Sequence, residues 1–174
     1  MAQLLFIGDS LIEGGAPWSD RIPQHKIESL GIPGARTDEL LARLPLLTTA
    51  TPPDLTLISI GTNNIYQQDL SFHQSLQEII LFCRKNFPSS KILLENIFPM
   101  HLSHITAEQI EAVNRDIALL ARQTGSCLLD MHAVFTAAKS ENIFQQDNIH
   151  LTERGYAVWT RKIQEHVAFL IEAE

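Results

Sequence analysis

At 174 residues, 45% hydrophobic and 19% charged, the chain has the size and make-up of one folded domain, 1–174, with core enough to need neither disulfide nor metal. Its net charge of −7, with Lys and Arg scattered and no polybasic run, leaves no electrostatic footing for nucleic acid or an anionic membrane as partner. No apolar stretch approaches the length of a membrane span, so no stable membrane insertion is expected.

In chain order, residues 4–7 form a nearly continuous apolar run, the pattern of a strand buried on both faces, and end in Gly8-Asp9-Ser10-Leu11. The residues before it carry no positive stretch and meet Gly-Asp too soon for a signal peptide, so a cytoplasmic location is expected. A second strand is expected over 26–30, followed by Gly31-Ile32-Pro33-Gly34-Ala35-Arg36, and then a helix over 37–47 stopped by Pro52-Pro53. The third strand, 55–60, leads into Gly61-Thr62-Asn63-Asn64. A helix over 71–86 carries the stripe Phe72, Leu76, Ile79, Ile80, Cys83 and Phe87, and Pro88 ends it. The fourth strand, 92–94 with an extension as far as 97, precedes Asn96-Ile97-Phe98-Pro99-Met100-His101. A helix over 107–123 has Gly125 placed for its C′ position, and the fifth strand is 127–129. Asp147-Asn148-Ile149-His150 then leads into a last helix over 152–171, where Tyr156 and Trp159 are expected to pack. Cys83 and Cys127 read as small core residues, since neither has a CxxC partner.

Strand and helix in alternation predict a parallel sheet with helices on both faces, and such sheets bind ligands outside the carboxyl ends of their strands. The groups falling there supply the parts of an acyl-transfer site. A serine hydroxyl needs a base, and His150 is one; the imidazole needs an orienting carboxylate, and Asp147 sits one turn away. The tetrahedral oxyanion needs preorganised donors, for which the backbone N–H groups of Ser10 and Gly34 and the side-chain amide of Asn63 are candidates. Each residue alone has a plainer role: Ser10 as a helix cap, Asn63 in an Asx-turn, Gly34 in a type II turn, Asp147 and His150 as lead-in to the final helix. Their order beside successive strand ends is what the joint reading explains. Gly8 is assigned to backbone geometry and Asp9 to holding the loop.

The order GDSL, an isolated Gly, GTNN and DxxH resembles the SGNH (GDSL) hydrolase family over nearly the whole chain, and GTNN with HLTERGY is most similar to its platelet-activating-factor acetylhydrolase-like branch. The resemblance implies a flavodoxin-like three-layer α/β/α sandwich with a five-stranded parallel sheet. It also implies catalytic Ser10, Asp147 and His150, with an oxyanion hole at Ser10, Gly34 and Asn63. Two positions depart from the family pattern: Asn64 stands where many members have Asp, and Asn148 where many have Gly. Asn tolerates the left-handed backbone better than most residues, so the second change is expected to be benign.

The expected reaction is hydrolysis of a small-molecule carboxylic ester, acetyl or another short acyl, without metal or organic cofactor. Ile65, Tyr66, Phe98, Met100 and Ile149 flank the motifs and are the expected pocket walls. A thioesterase, lysophospholipase or acyltransferase with the same triad is the alternative within enzymes. A flavodoxin-like binding module without catalysis is the alternative outside them, disfavoured by the absence of a phosphate-cradling loop after the first strand. His101 and His104 form an HxxH without a third ligand, a weak metal signal, and are expected on the pocket rim or surface.

Overall fold

The computed structural model describes residues 1–138 and 142–172. Five parallel strands, β1 (Gln3–Gly8), β2 (Lys26–Gly31), β3 (Leu55–Ser59), β4 (Lys91–Glu95) and β5 (Cys127–Leu129), form one sheet in the order β2-β1-β3-β4-β5. This is the flavodoxin-like order, whose reversal of winding falls between β1 and β3 and opens a crevice at their carboxyl ends. Ser10 follows β1 at that point.

Period-two alternation sends successive strand residues to opposite faces. Leu5, Ile7, Ile58, Ile92 and Leu94 meet α3 (Thr37–Arg43), α5 (His73–Asn86) and α6 (Ala107–Thr124) on one side. Leu4, Phe6, Leu57 and Leu93 meet α1 (Ser10–Gly14), α2 (Trp18–Arg21), α7 (Met131–Ala137) and α8 (Glu153–Val167) on the other. Each fully buried Leu, Ile or Phe contributes about 1.5–3 kcal/mol, so both faces are strongly specified. A one-residue slip of β1 would exchange the two sets. Helices on both sides make three layers.

The strands lie where the apolar runs place them, with β4 ending at Glu95 short of the extension to 97. The helix expected over 37–47 stops at Arg43 and continues as a 3₁₀ turn, Leu44–Leu46, because Pro45 has no N–H and its ring blocks the α-helical ladder. Gly125 ends α6 in the left-handed conformation, φ +63°. The last helix begins at Glu153, capped by Thr152, and passes at Ala168 into a π-helical turn. Short helices α1, α2, α7 and α4 (Thr62–Tyr66) were not predicted, since four to seven residues show too little periodicity to register. Cys83 is buried and Cys127 half-buried, both as free thiols. Among the described residues no helix is long and apolar enough to cross a membrane.

Candidate active site

Ser10 is the first residue of α1, and the capping role belongs to its neighbour. Asp9, 1% exposed, accepts the backbone N–H of Leu11 at 2.9 Å through Oδ1 and starts the helix there. Gly8 permits the sharp exit from β1: a Cβ at this position would lie 2.0 Å from the carbonyl oxygen of Ser59 on the adjoining strand. Sequence position alone thus puts Ser10 at the crevice with its side chain half-buried and its backbone N–H outside the helical ladder.

His150 reaches Ser10 from the far end of the chain because α8 is tied to α1. The Tyr156 hydroxyl donates to the carbonyl of Leu11 at 2.9 Å, and Arg21 joins α2 to Glu153 at 3.0 Å while its guanidinium lies 4.8 Å over the Tyr156 ring. Ahead of α8, Gln145 donates to the His150 carbonyl at 2.7 Å and Thr152 to the Ile143 carbonyl at 2.9 Å, closing residues 143–152 into a compact loop. Within it, Asp147 Oδ1 accepts the N–H groups of Ile149 and His150, both at 3.0 Å, and Oδ2 lies 2.6 Å from His150 Nδ1. An ionised carboxylate only accepts, so Nδ1 carries the hydrogen and Nε2 presents a lone pair. That Nε2 is 3.1 Å from Ser10 Oγ. Partial burial works against ionisation of Asp147, but the hydrogen bonds from the His150 ring and the two backbone N–H groups, with the charge of His150, outweigh it. The carboxyl therefore lies below its ordinary range.

Gly34 and Asn63 share this pocket with Ser10, Asp147 and His150, in a cavity of about 700 Å³. Gly34 has φ +77°, a conformation that side chains rarely adopt, and open space where a Cβ would stand, so its requirement is backbone freedom rather than room. Asn63 spends one amide hydrogen on the Ala35 carbonyl at 3.0 Å, which fixes the side chain; the amide has a second hydrogen to offer.

The expected walls divide. Tyr66 and Ile149 line the cavity, and Leu102, Ser103, His101 and His104 join them. Ile65, Phe98 and Met100 do not: they are at most 4% exposed and belong to the two cores, Ile65 on the inner side of α4 and Phe98 and Met100 in the segment that turns inward after β4. His104 is held by its Nε2 contact with the Tyr66 carbonyl at 2.9 Å. Among the described residues no group of three or more His, Cys, Asp or Glu is arranged to hold a metal.

The two departures from the expected motifs have local reasons. Asn64 is buried, accepts the Thr37 backbone N–H at 3.0 Å and donates to Asp69 at 2.8 Å, so a carboxylate here would face another carboxylate. Asn148 adopts φ +57°, the left-handed conformation expected of it.

Asp9, expected to hold the loop, has a buried partner acid that no motif marks. Glu95, at the end of β4, is 2% exposed and accepts hydrogen bonds from Ser59 Oγ at 2.5 Å and from the Trp159 indole. Burial pushes its carboxyl well above the ordinary range against those two bonds, and the nearby Asp9 charge adds to the rise. Burial likewise raises Asp9 to about 7, opposed by the Leu11 N–H and the charge of His150, and among the described residues its Oδ2 has no hydrogen-bond partner. A lone Glu closing an apolar strand was the available signal.

The model of the GDSL-like lipase/acylhydrolase family matches residues 6–158. No curated protein matches the chain in sequence. Among solved structures, a Streptococcus pneumonia protein provisionally described as a platelet activating factor superposes with TM-score 0.84 at 23% identity, over 94% of this chain and 83% of that one. An acetyl xylan esterase superposes with TM-score 0.80 at 21% identity, over 95% and 99%. The lipase/acylhydrolase from Enterococcus faecalis gives 0.81 at 16% identity, over 96% and 95%. These similarities carry the fold.

Proposed function

The chain belongs to the GDSL-like lipase/acylhydrolase family and is a carboxylic ester hydrolase, and from that premise we propose that it cleaves short-acyl esters through a Ser10–His150–Asp147 triad. The observation that carries this reading is the unbroken row from Asp147 Oδ2 through the imidazole to Ser10 Oγ, with spacings of 2.6 and 3.1 Å, opening on a cavity that Gly34 and Asn63 also line.

In the reaction, His150 Nε2 removes the Ser10 proton as Oγ forms a bond to the substrate carbonyl carbon. The carbonyl oxygen gains the negative charge and takes hydrogen bonds from the Ser10 and Gly34 N–H groups and the free amide hydrogen of Asn63. Asp147 holds the resulting imidazolium, which returns the proton to the departing alkoxide. Water, deprotonated by His150, then attacks the acyl-enzyme and frees Ser10 and the acid. A short acyl group follows from the walls: with Ile65, Phe98 and Met100 in the core, the apolar lining is Pro33, Tyr66, Leu102 and Ile149, and a long chain would stay largely in water.

The test treats the purified protein with a fluorophosphonate and follows p-nitrophenyl ester hydrolysis from acetate to decanoate. Labelling at Ser10, turnover falling with chain length, and loss of both label and turnover in Ser10→Ala are expected. An unlabelled protein without turnover on any ester overturns the triad, and a maximum at decanoate overturns the short-acyl reading.

A further inference from the structure

A second cavity, of about 520 Å³, lies beside the catalytic one, and His101 lines both. The loop carrying the catalytic pair is the rest of the partition: Asp147, Ile149 and His150 face the catalytic side, while Asn148 faces the second cavity. The left-handed backbone at Asn148 accompanies this reversal of direction. Phe135, Ile143 and Phe144 supply its apolar side; Phe135 and Ile143 are buried, and the two phenyl rings meet edge to face at 5.7 Å. The exposed side chains of His101, Thr136 and Asn148 supply imidazole, hydroxyl and amide groups. Among the described lining residues there is no Lys, Arg, Asp or Glu.

The stereochemistry of acyl transfer assigns a direction to this space. The carbonyl oxygen must point at Gly34 and Asn63, whereas the leaving oxygen must lie within hydrogen-bond reach of His150 Nε2 to receive its proton. The alcohol half of the ester therefore departs along the wall made by the 147–150 loop and His101, and the second cavity lies behind that wall. Resting on the reading of Ser10 as nucleophile, we propose that this cavity binds the alcohol half, and that the alcohol is a ring-sized group bearing hydroxyls. The ring packs on the half-buried Phe144, with the buried Phe135 set edge to face behind it. The ring hydroxyls exchange hydrogen bonds with His101, Thr136 and Asn148.

The experiment compares kcat/KM on a methyl mono-O-acetyl-pyranoside, ethyl acetate and acetylcholine, for the native chain and for Asn148→Gly and Thr136→Val. Glycine suits the left-handed backbone at 148 and valine matches threonine in shape, so both variants keep the fold, and thermal melting checks that they do. The pyranoside is expected to be the best of the three substrates. Each variant is expected to lower the pyranoside-to-ethyl acetate ratio by about three- to tenfold, the loss of one hydrogen bond between neutral groups. Equal turnover of pyranoside and ethyl acetate, a preference for acetylcholine, or an unchanged ratio in both variants overturns the assignment. Fluorophosphonate labelling separates the two levels: a labelled protein without ring preference refutes the cavity, whereas an unlabelled one refutes the serine.

Discussion

Asp9→Asn is expected to change how stability depends on pH. The native fold holds the Asp9 carboxyl at about 7 against an ordinary 3.8, because burial at 1% exposure removes the water that would solvate its charge. At 1.36 kcal/mol for each tenfold change in the proton equilibrium, that difference amounts to about 4 kcal/mol. Since the folded value is the higher one, the native state holds the proton after the unfolded chain has released it. The associated stability is complete below pH 3.8 and is lost as pH rises through 7. Asparagine retains an oxygen to accept the Leu11 N–H but has no proton to release, so the variant lacks this part of the pH dependence. At low pH it should be no more stable than the native chain, because its amide hydrogens face the place where Oδ2 finds no partner. Relative to the native chain it should then gain about 4 kcal/mol between pH 4 and pH 8. Urea unfolding followed by fluorescence of the buried Trp18 and Trp159 would show this as a relative midpoint shift of about 2 M, for an m-value of about 2 kcal/mol per molar. Glu95→Gln run in parallel separates the part of the change that arises from the neighbouring acid. A stability difference between native and Asp9→Asn chains that stays flat from pH 4 to 8 refutes the reasoning.

Asn63→Ala should lower kcat by about 10²–10³ with little change in KM, since a donor to the oxyanion acts mainly in the transition state; steady-state kinetics on p-nitrophenyl acetate decide it, and a KM effect alone would contradict the role. Asp147→Asn should leave Ser10 and His150 in place but present an amide where Nδ1–H now donates, cutting kcat by about 10²–10⁴. Near-native turnover in that variant would remove Asp147 from the mechanism. Trp159→Phe should destabilise the fold by about 2–4 kcal/mol, because it shrinks a fully buried side chain and withdraws a donor from buried Glu95; chemical denaturation measures it.

Much of this fold was legible because its strands are buried on both faces. Runs such as Leu4-Leu5-Phe6-Ile7 have no polar residue to confuse with a helical stripe, and their spacing through amphipathic segments leaves a parallel sheet as the economical solution. The helices α1, α2, α4 and α7 were not legible, since each is too short for periodicity and is held by caps and tertiary contacts, such as Asp9 for α1 and Asp130 for α7. Pro45 lies inside the apolar pattern of 37–47, and its missing N–H decides the local outcome there.

The candidate site divides along the same physical line. Ser10, Gly34, Asn63, Asp147 and His150 could be named because strand ends and one local turn place them, and backbone topology follows from pattern. The pocket walls could not, because adjacency to a motif does not say whether a side chain turns toward the crevice or the core. Ile65 and Tyr66 are neighbours on α4, yet one is fully buried and the other 52% exposed. The residues that hold the site in register were hidden for a related reason. Tyr156 and Trp159 read as packing residues, and they do pack, but each also aims one polar hydrogen: the hydroxyl at the Leu11 carbonyl and the indole at Glu95. Those two bonds span 145 and 64 residues of chain, so no local pattern reports them. They are nonetheless the links that seat α8, and with it His150, over the first strand's serine. Tyr156→Phe should therefore lower kcat on p-nitrophenyl acetate without touching any member of the hydrogen-bonded row, and unchanged steady-state kinetics would contradict that link.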